Sequence, residues 1–197
     1  MLLHMVRHGA TTEPGMLIGR RTDVPATADG NAAVIRQLTA LQPKTLLSSP
    51  MQRCVMAAEL AGSQLGVSVC IDPAWSEYDF GDWDGVRAGE LRQRYGRDLD
   101  DFYANPERNQ PPNGEAWSTF SARLEHVLRS SNTQRLREPI AVVTHAGVMR
   151  GALRIACGFT FADAWAVRIH HGTMLSLHYG RDGHDRLWGS IEALRPA

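Results

Sequence analysis

Leu2-Leu3-His4-Met5-Val6-Arg7-His8-Gly9 opens the chain as an apolar run that delivers an arginine and a histidine to a glycine. Ala141-Val142-Val143-Thr144-His145-Ala146-Gly147 repeats the device far downstream. Short Val-, Leu- and Ile-rich runs bounded by glycine read as buried strands of an α/β sheet, whose ligands collect at the carboxyl ends of the strands. Two strands therefore carry one histidine each to a common edge.

The residues beside the histidines distinguish a metal site from an anion site. A guanidinium repels a cation but grips phosphate bidentately. Arg7 adjoins His8, and Arg53 follows the strand-like Leu46-Leu47-Ser48 and the turn Ser49-Pro50, in the first turn of an expected helix. Helix N-termini add free N–H groups and a positive dipole end. The pattern points to phosphate, with no metal and no other cofactor.

Around these strands the spacing predicts a loop over 9–26, helices over about 29–41 and 51–65, and strands at 45–48 and 67–71. The second helix carries a buried stripe of Val55, Ala58, Leu60, Ala61 and Leu65. An acidic, aromatic segment runs from Trp75 to Gly85, followed by two or three helices to about Leu128 with a Pro- and Asn-rich loop between them. A strand at 140–144, a helix over 148–157 and a strand pair at 174–179 and 187–191 complete the pattern. Alternating strands and helices imply a doubly wound, mostly parallel sheet flanked by helices. The chain reads as one domain over 1–197, with a helical lid insertion at about 86–139.

Composition narrows the class. Hydrophobic residues make up 43% and charged residues 21% of 197 residues, ordinary for a globular protein. A formal charge of zero removes the general electrostatic case for nucleic acid or an acidic membrane. No apolar stretch approaches the roughly 20 residues that span a bilayer, so a cytoplasmic protein is expected, either monomer or homodimer. Cys54, Cys70 and Cys157 are too scattered for a zinc site or a disulfide framework and read as reduced core thiols. Lys44 is the only lysine, which makes an arginine near a motif less surprising than it would be elsewhere.

Four segments, Val6-Arg7-His8-Gly9, Ser48 to Arg53, Glu77-Tyr78-Asp79-Phe80-Gly81-Asp82-Trp83-Asp84-Gly85 and Thr144-His145-Ala146-Gly147, occur in the order found in the histidine phosphatase superfamily, the phosphoglycerate mutase-like family, which the chain resembles over most of its length. The resemblance implies a metal-independent phosphomonoesterase with a phosphohistidine intermediate. His8 is then the nucleophile. Arg7, Arg53 and His145 hold the phosphoryl oxygens as cations, and Thr11 and the N–H groups near Gly19 and Ala146 add neutral donors. Glu77 protonates the leaving oxygen and later takes a proton from water. Asp79, Asp82 and Asp84 read as turn and cap residues.

One position departs from the family pattern. Many relatives carry asparagine three residues beyond Thr11, where this chain has Pro14, and Arg20 or Arg21 is expected to substitute as donor. The chain is short for a mutase, and Asn105-Pro106 with Pro111 to Trp117 resembles the α-ribazole phosphatases of cobalamin nucleotide-loop assembly. The partner implied is a small phosphorylated metabolite, α-ribazole 5′-phosphate, with Trp83, Trp117 and Tyr103 as stacking surface. The alternatives are a broad-specificity or sugar-phosphate phosphatase, and a non-catalytic phospho-ligand binding module. His170 and His171 precede a strand and are candidates for the pocket mouth.

Overall fold

The computed structural model describes residues 1–133 and 136–197. Six strands form one mixed sheet: β1 (Leu2–Arg7), β2 (Thr45–Ser48), β3 (Val69–Ile71), β4 (Ile140–Thr144), β5 (Met174–Arg181) and β6 (Leu187–Arg195). Their spatial order is β3-β2-β4-β1-β5-β6. The pairs β3–β2, β2–β4 and β4–β1 are parallel, and β1–β5 and β5–β6 are antiparallel. The sheet is therefore mostly parallel, as expected from the sequence, with an antiparallel hairpin along one side.

Period-two alternation sends each strand to two cores. Leu3, Met5, Ile140 and Val142 meet α5 (Ala146–Cys157) and the aromatic residues of the insertion. Val6, Ala141 and Val143 meet α1 (Ala28–Leu41) and α2 (Gln52–Leu65) on the other face. The buried face of α2 is not the stripe expected from its larger side chains. Leu60 is half exposed; Ala58 and Ala61 are buried as expected, joined by Arg53, Cys54, Ala57 and Gly62. Small residues let α2 lie close against the sheet and α1, an advantage that hydrophobicity counting misses.

The segment from Val86 to Pro139 holds α3 (Ala88–Ala104), interrupted by a non-helical Tyr95, and α4 (Trp117–Thr133). One helix was not anticipated, α6 (Phe161–Ala166), although Thr160 and Asp163 spell its capping box. Of the three cysteines only Cys54 is fully buried. Cys70 lies exposed on edge strand β3, which corrects the reading of all three as core thiols. Among the described residues no helix is long and apolar enough to cross a membrane.

Candidate active site

Sheet register brings the two histidines together. β1 and β4 pair with Arg7 opposite Thr144, and the His8 N–H donates to the Thr144 carbonyl at 2.9 Å. The next residue of each strand then leaves the sheet beside its neighbour. The His8 and His145 rings lie edge to face with centroids 5.2 Å apart, and both side chains are buried.

His8 is held in one tautomer. Its Nδ1 lies 2.8 Å from the Gly9 carbonyl, which only accepts, so Nδ1 carries the proton and Nε2 keeps its lone pair. Burial, and then the Arg53 and Arg7 charges, push its pKa well below 6.5. The ring is a neutral base in a cationic pocket.

His145 shows the same direction, again from burial first and Arg53 second. It is therefore a neutral imidazole, not the cation expected from the sequence. Ser49 Oγ lies 2.7 Å from its Nε2 and accepts from Met51 N–H at 3.5 Å. Its Nδ1 is buried with no partner among the described residues. Cys54 Sγ sits 3.6 Å from the same Nε2, and burial pushes its thiol up to about 12.

These titrations have a consequence for stability. His8 and His145 protonate less readily when folded than at the ordinary value of 6.5, and His4 and His171 shift the same way. Below that value the unfolded chain binds more protons, so stability is full above it and falls as the pH drops through it. Thermal melts should show Tm falling between about pH 7 and 5, with a shallower slope in His8→Gln. A flat Tm, or an unchanged slope in the variant, contradicts a buried neutral pair.

The two arginines are fixed by carbonyls, not carboxylates. Arg7 Nη1 donates to Ile169 O at 2.8 Å and Nη2 to His171 Nε2 at 2.9 Å. Arg53 Nη2 donates to Gly19 O at 2.7 Å and Nη1 to Thr22 O at 3.2 Å. Neither forms an ion pair among the described residues, and the Nε of each is buried without a partner. Burial lowers Arg7 to about 10, which still leaves it charged near neutrality. Two oriented guanidiniums, neither in a direct ion pair among the described residues, form an anion site beside the two imidazoles, with the Glu77 carboxyl the opposing charge that acts on Arg7.

Glu77 approaches from the opposite element. Its Oε1 accepts from Tyr78 N–H and its Oε2 from Gly147 N–H, both at 3.0 Å. A Cβ at position 147 would collide with this carboxylate, so only glycine allows the approach. Ala146 opens α5 directly after His145, placing the helix N-terminus at the same point.

Other expectations are corrected. The Gly19 N–H donates to Asp84 Oδ1 at 3.0 Å, so it is no ligand donor; the Gly19 carbonyl instead anchors Arg53. Asp84 also accepts from Arg21 and Thr22 N–H groups, a loop cap as expected. Arg20 and Arg21 do not replace the donor lost at Pro14. They turn to Asp79, at 3.6 and 2.7 Å, and tie the loop to the segment after Glu77. Trp83 is buried beside Phe102 and Tyr95, and Tyr103 packs edge-on to Trp165 at 5.1 Å, so neither is a free stacking surface.

A cavity of about 350 Å³ opens at the histidines, lined by Arg7, His8, Thr11, Pro14, Leu17 and His171. His171, 5.4 Å from the His8 ring, is thus the wall residue of the His170-His171 pair. A smaller recess of about 50 Å³ begins at Gly147 and Arg150 and is walled by Trp117, Phe161 and Trp165. Arg150 and Trp165 are site neighbours outside the motifs, and Ser49 lies inside a motif that assigns it no role. Arg150 lies one turn beyond Gly147 on the same face of α5, a spacing that was readable once the helix start was known.

Comparison with known proteins agrees with this geometry. The model of the histidine phosphatase superfamily (branch 1) matches residues 3–188. The chain is 27% identical over 177 residues to the adenosylcobalamin/alpha-ribazole phosphatase of Escherichia coli (strain K12), covering 87% of each chain. The crystal structure of the alpha-ribazole phosphatase from Shigella flexneri superposes with TM-score 0.81 at 25% identity, over 100% of this chain and 96% of that one. A mycobacterial glucosyl-3-phosphoglycerate phosphatase superposes with TM-score 0.84 at 19% identity, over 98% of this chain and 97% of that one. Fold similarity is equally high for relatives named for different substrates, so it does not choose among them.

Proposed function

Because the chain belongs to the histidine phosphatase superfamily and is a phosphatase, we propose that it hydrolyses a phosphomonoester through phospho-His8, without metal, and that its substrate is α-ribazole 5′-phosphate. The observation that carries the mechanism is the neutral His8, its Nε2 bare, beside two arginines that form no ion pair among the described residues.

In the first step the Nε2 lone pair attacks phosphorus in line as the ester P–O bond breaks, and Glu77 gives its proton to the departing alkoxide. Arg7, Arg53, His145 and the N–H at Ala146 hold the equatorial oxygens, and Thr11 borders the cavity mouth. In the second step Glu77 takes a proton from water, which attacks the phosphohistidine and frees phosphate and His8.

Two features support the ribazole ester. The relatives named for it align along nearly the whole chain. The recess of Trp117, Phe161 and Trp165 lies beside Gly147, hence beside Glu77 and the leaving oxygen. At about 50 Å³ it admits only the edge of a bicyclic base, and the half-exposed Trp165 must swing aside for the rest. That small volume is what favours the second reading, a sugar-phosphate or broad-specificity phosphatase.

Phosphate release from α-ribazole 5′-phosphate, 3-phosphoglycerate, simple sugar phosphates and p-nitrophenyl phosphate, each with excess EDTA, separates these readings. EDTA-resistant turnover strongly favouring the ribazole ester is the expected result. Similar rates across the panel keep the mechanism and discard the substrate, while silence throughout points to the binding module.

A further inference from the structure

Four consecutive carbonyls, from Ala74 to Glu77, are held by side chains. Thr144 Oγ1 donates to Trp75 O at 2.8 Å. Arg123, on α4, takes the other three: Nη1 donates to Ala74 O and Ser76 O at 2.9 and 2.7 Å, and Nη2 to Glu77 O at 2.9 Å. Its remaining N–H groups go to Glu115, from Nη2 at 3.0 Å and Nε at 3.5 Å. All five guanidinium donors are engaged.

Glu115 completes the arrangement from the far side. Its side chain is 6% exposed, and its Oε1 also accepts from Asp79 N–H at 2.8 Å. The pair thus brackets Glu77, gripping the backbone before and after it. Among the described residues the Glu77 carboxyl accepts hydrogen bonds from two backbone N–H groups, those of Tyr78 and Gly147. Where that carboxyl lies therefore depends on where the backbone of 74–79 lies relative to α5.

We propose that Arg123 and Glu115 are positioning residues, a clamp on the insertion that sets the reach of the Glu77 carboxyl to the leaving oxygen. The proposal rests on the reading of Glu77 as the proton donor. Proton transfer needs heavy atoms within about 2.6–3.2 Å, and a misplacement of about 1 Å costs on the order of 100-fold. Lysine has three donors on a point charge and cannot reproduce the planar fork that serves four acceptor groups.

The test compares kcat/KM for phenyl phosphate and 2,4-dinitrophenyl phosphate, esters of similar shape, in wild type, Arg123→Lys and Glu77→Gln. Phenolate needs a proton to leave; dinitrophenolate does not. Arg123→Lys is expected to lose about 10- to 100-fold on phenyl phosphate and less than about threefold on the dinitrophenyl ester, the same pattern as Glu77→Gln. Equal losses on both esters, or none on either, overturn the clamp while Glu77→Gln still discriminates. A Glu77→Gln variant that does not discriminate overturns the donor assignment itself, and the clamp with it. Should Arg123→Lys not fold, Glu115→Gln is read by the same ratio.

Discussion

His8→Ala is expected to lose turnover of every phosphomonoester by on the order of 10⁴-fold or more, because the variant removes the atom to which phosphorus is transferred. No neighbour replaces it. His145 Nε2 faces Ser49 and His171 Nε2 accepts from Arg7, so neither presents a free lone pair to the same point. Brief exposure of wild type to ³²P-labelled substrate should trap an acid-labile, base-stable label on the protein, absent from the variant. The side chain is nearly fully buried yet makes a single hydrogen bond among the described residues, so a folded variant with a cooperative melt is expected. Turnover above a few per cent of wild type, or label carried by another histidine, removes His8 from its role.

Arg53→Met carries the second large effect. The guanidinium is fully buried, holds the Gly19 and Thr22 carbonyls and is the largest single charge acting on both histidines. Losing one preorganised donor to a developing anion costs on the order of 10²- to 10³-fold in kcat. Leaving two buried carbonyls unpaired costs a further ~1–3 kcal/mol of stability each. The sign of the titration change is also determined: without the Arg53 charge the His8 and His145 pKa values move up toward 6.5. Imidazole proton resonances followed against pH measure that shift, and kinetics at matched substrate saturation measure the rate. A downward or absent shift, or a loss in KM alone, contradicts a charge aimed at the transition state.

Legibility differed among the elements for physical reasons. The strands at 45–48 and 140–144 were readable because buried parallel strands must be nearly continuous apolar runs, bounded by the polar residues that reach the edge. α6 was overlooked because six residues do not display a helical period, although its capping box was visible. Leu60 departs from its expected place because its size favours an inner reading, whereas close packing adds Ala57 and Gly62 to the expected Ala58 and Ala61. Among candidate site residues, Arg7 and His8 line the cavity, the His145 ring meets the His8 ring, the Arg53 charge acts on both histidines, and Glu77 reaches Gly147 beside His145. The Gly19 donor failed because the sequence does not say which partner a loop N–H meets; Asp84, far along the chain, meets it.

By itself the sequence determined which groups this protein brings to its reaction. Strand patterning places a histidine at the carboxyl end of each of two strands, and local chemistry makes the imidazoles, guanidiniums and carboxyl available. Only the tertiary structure decided their states and their reach. The proton on His8 sits on Nδ1 because the Gly9 carbonyl lies 2.8 Å away, and both imidazoles are neutral because burial and Arg53 make charging them costly. The guanidiniums stay out of direct ion pairs among the described residues because backbone carbonyls and the His171 imidazole hold them. Glu77 meets α5 because Arg123, on a helix forty-six residues later, grips its backbone. Residue types are a property of the chain, whereas desolvation, tautomer and distance are properties of what the fold packs around each residue.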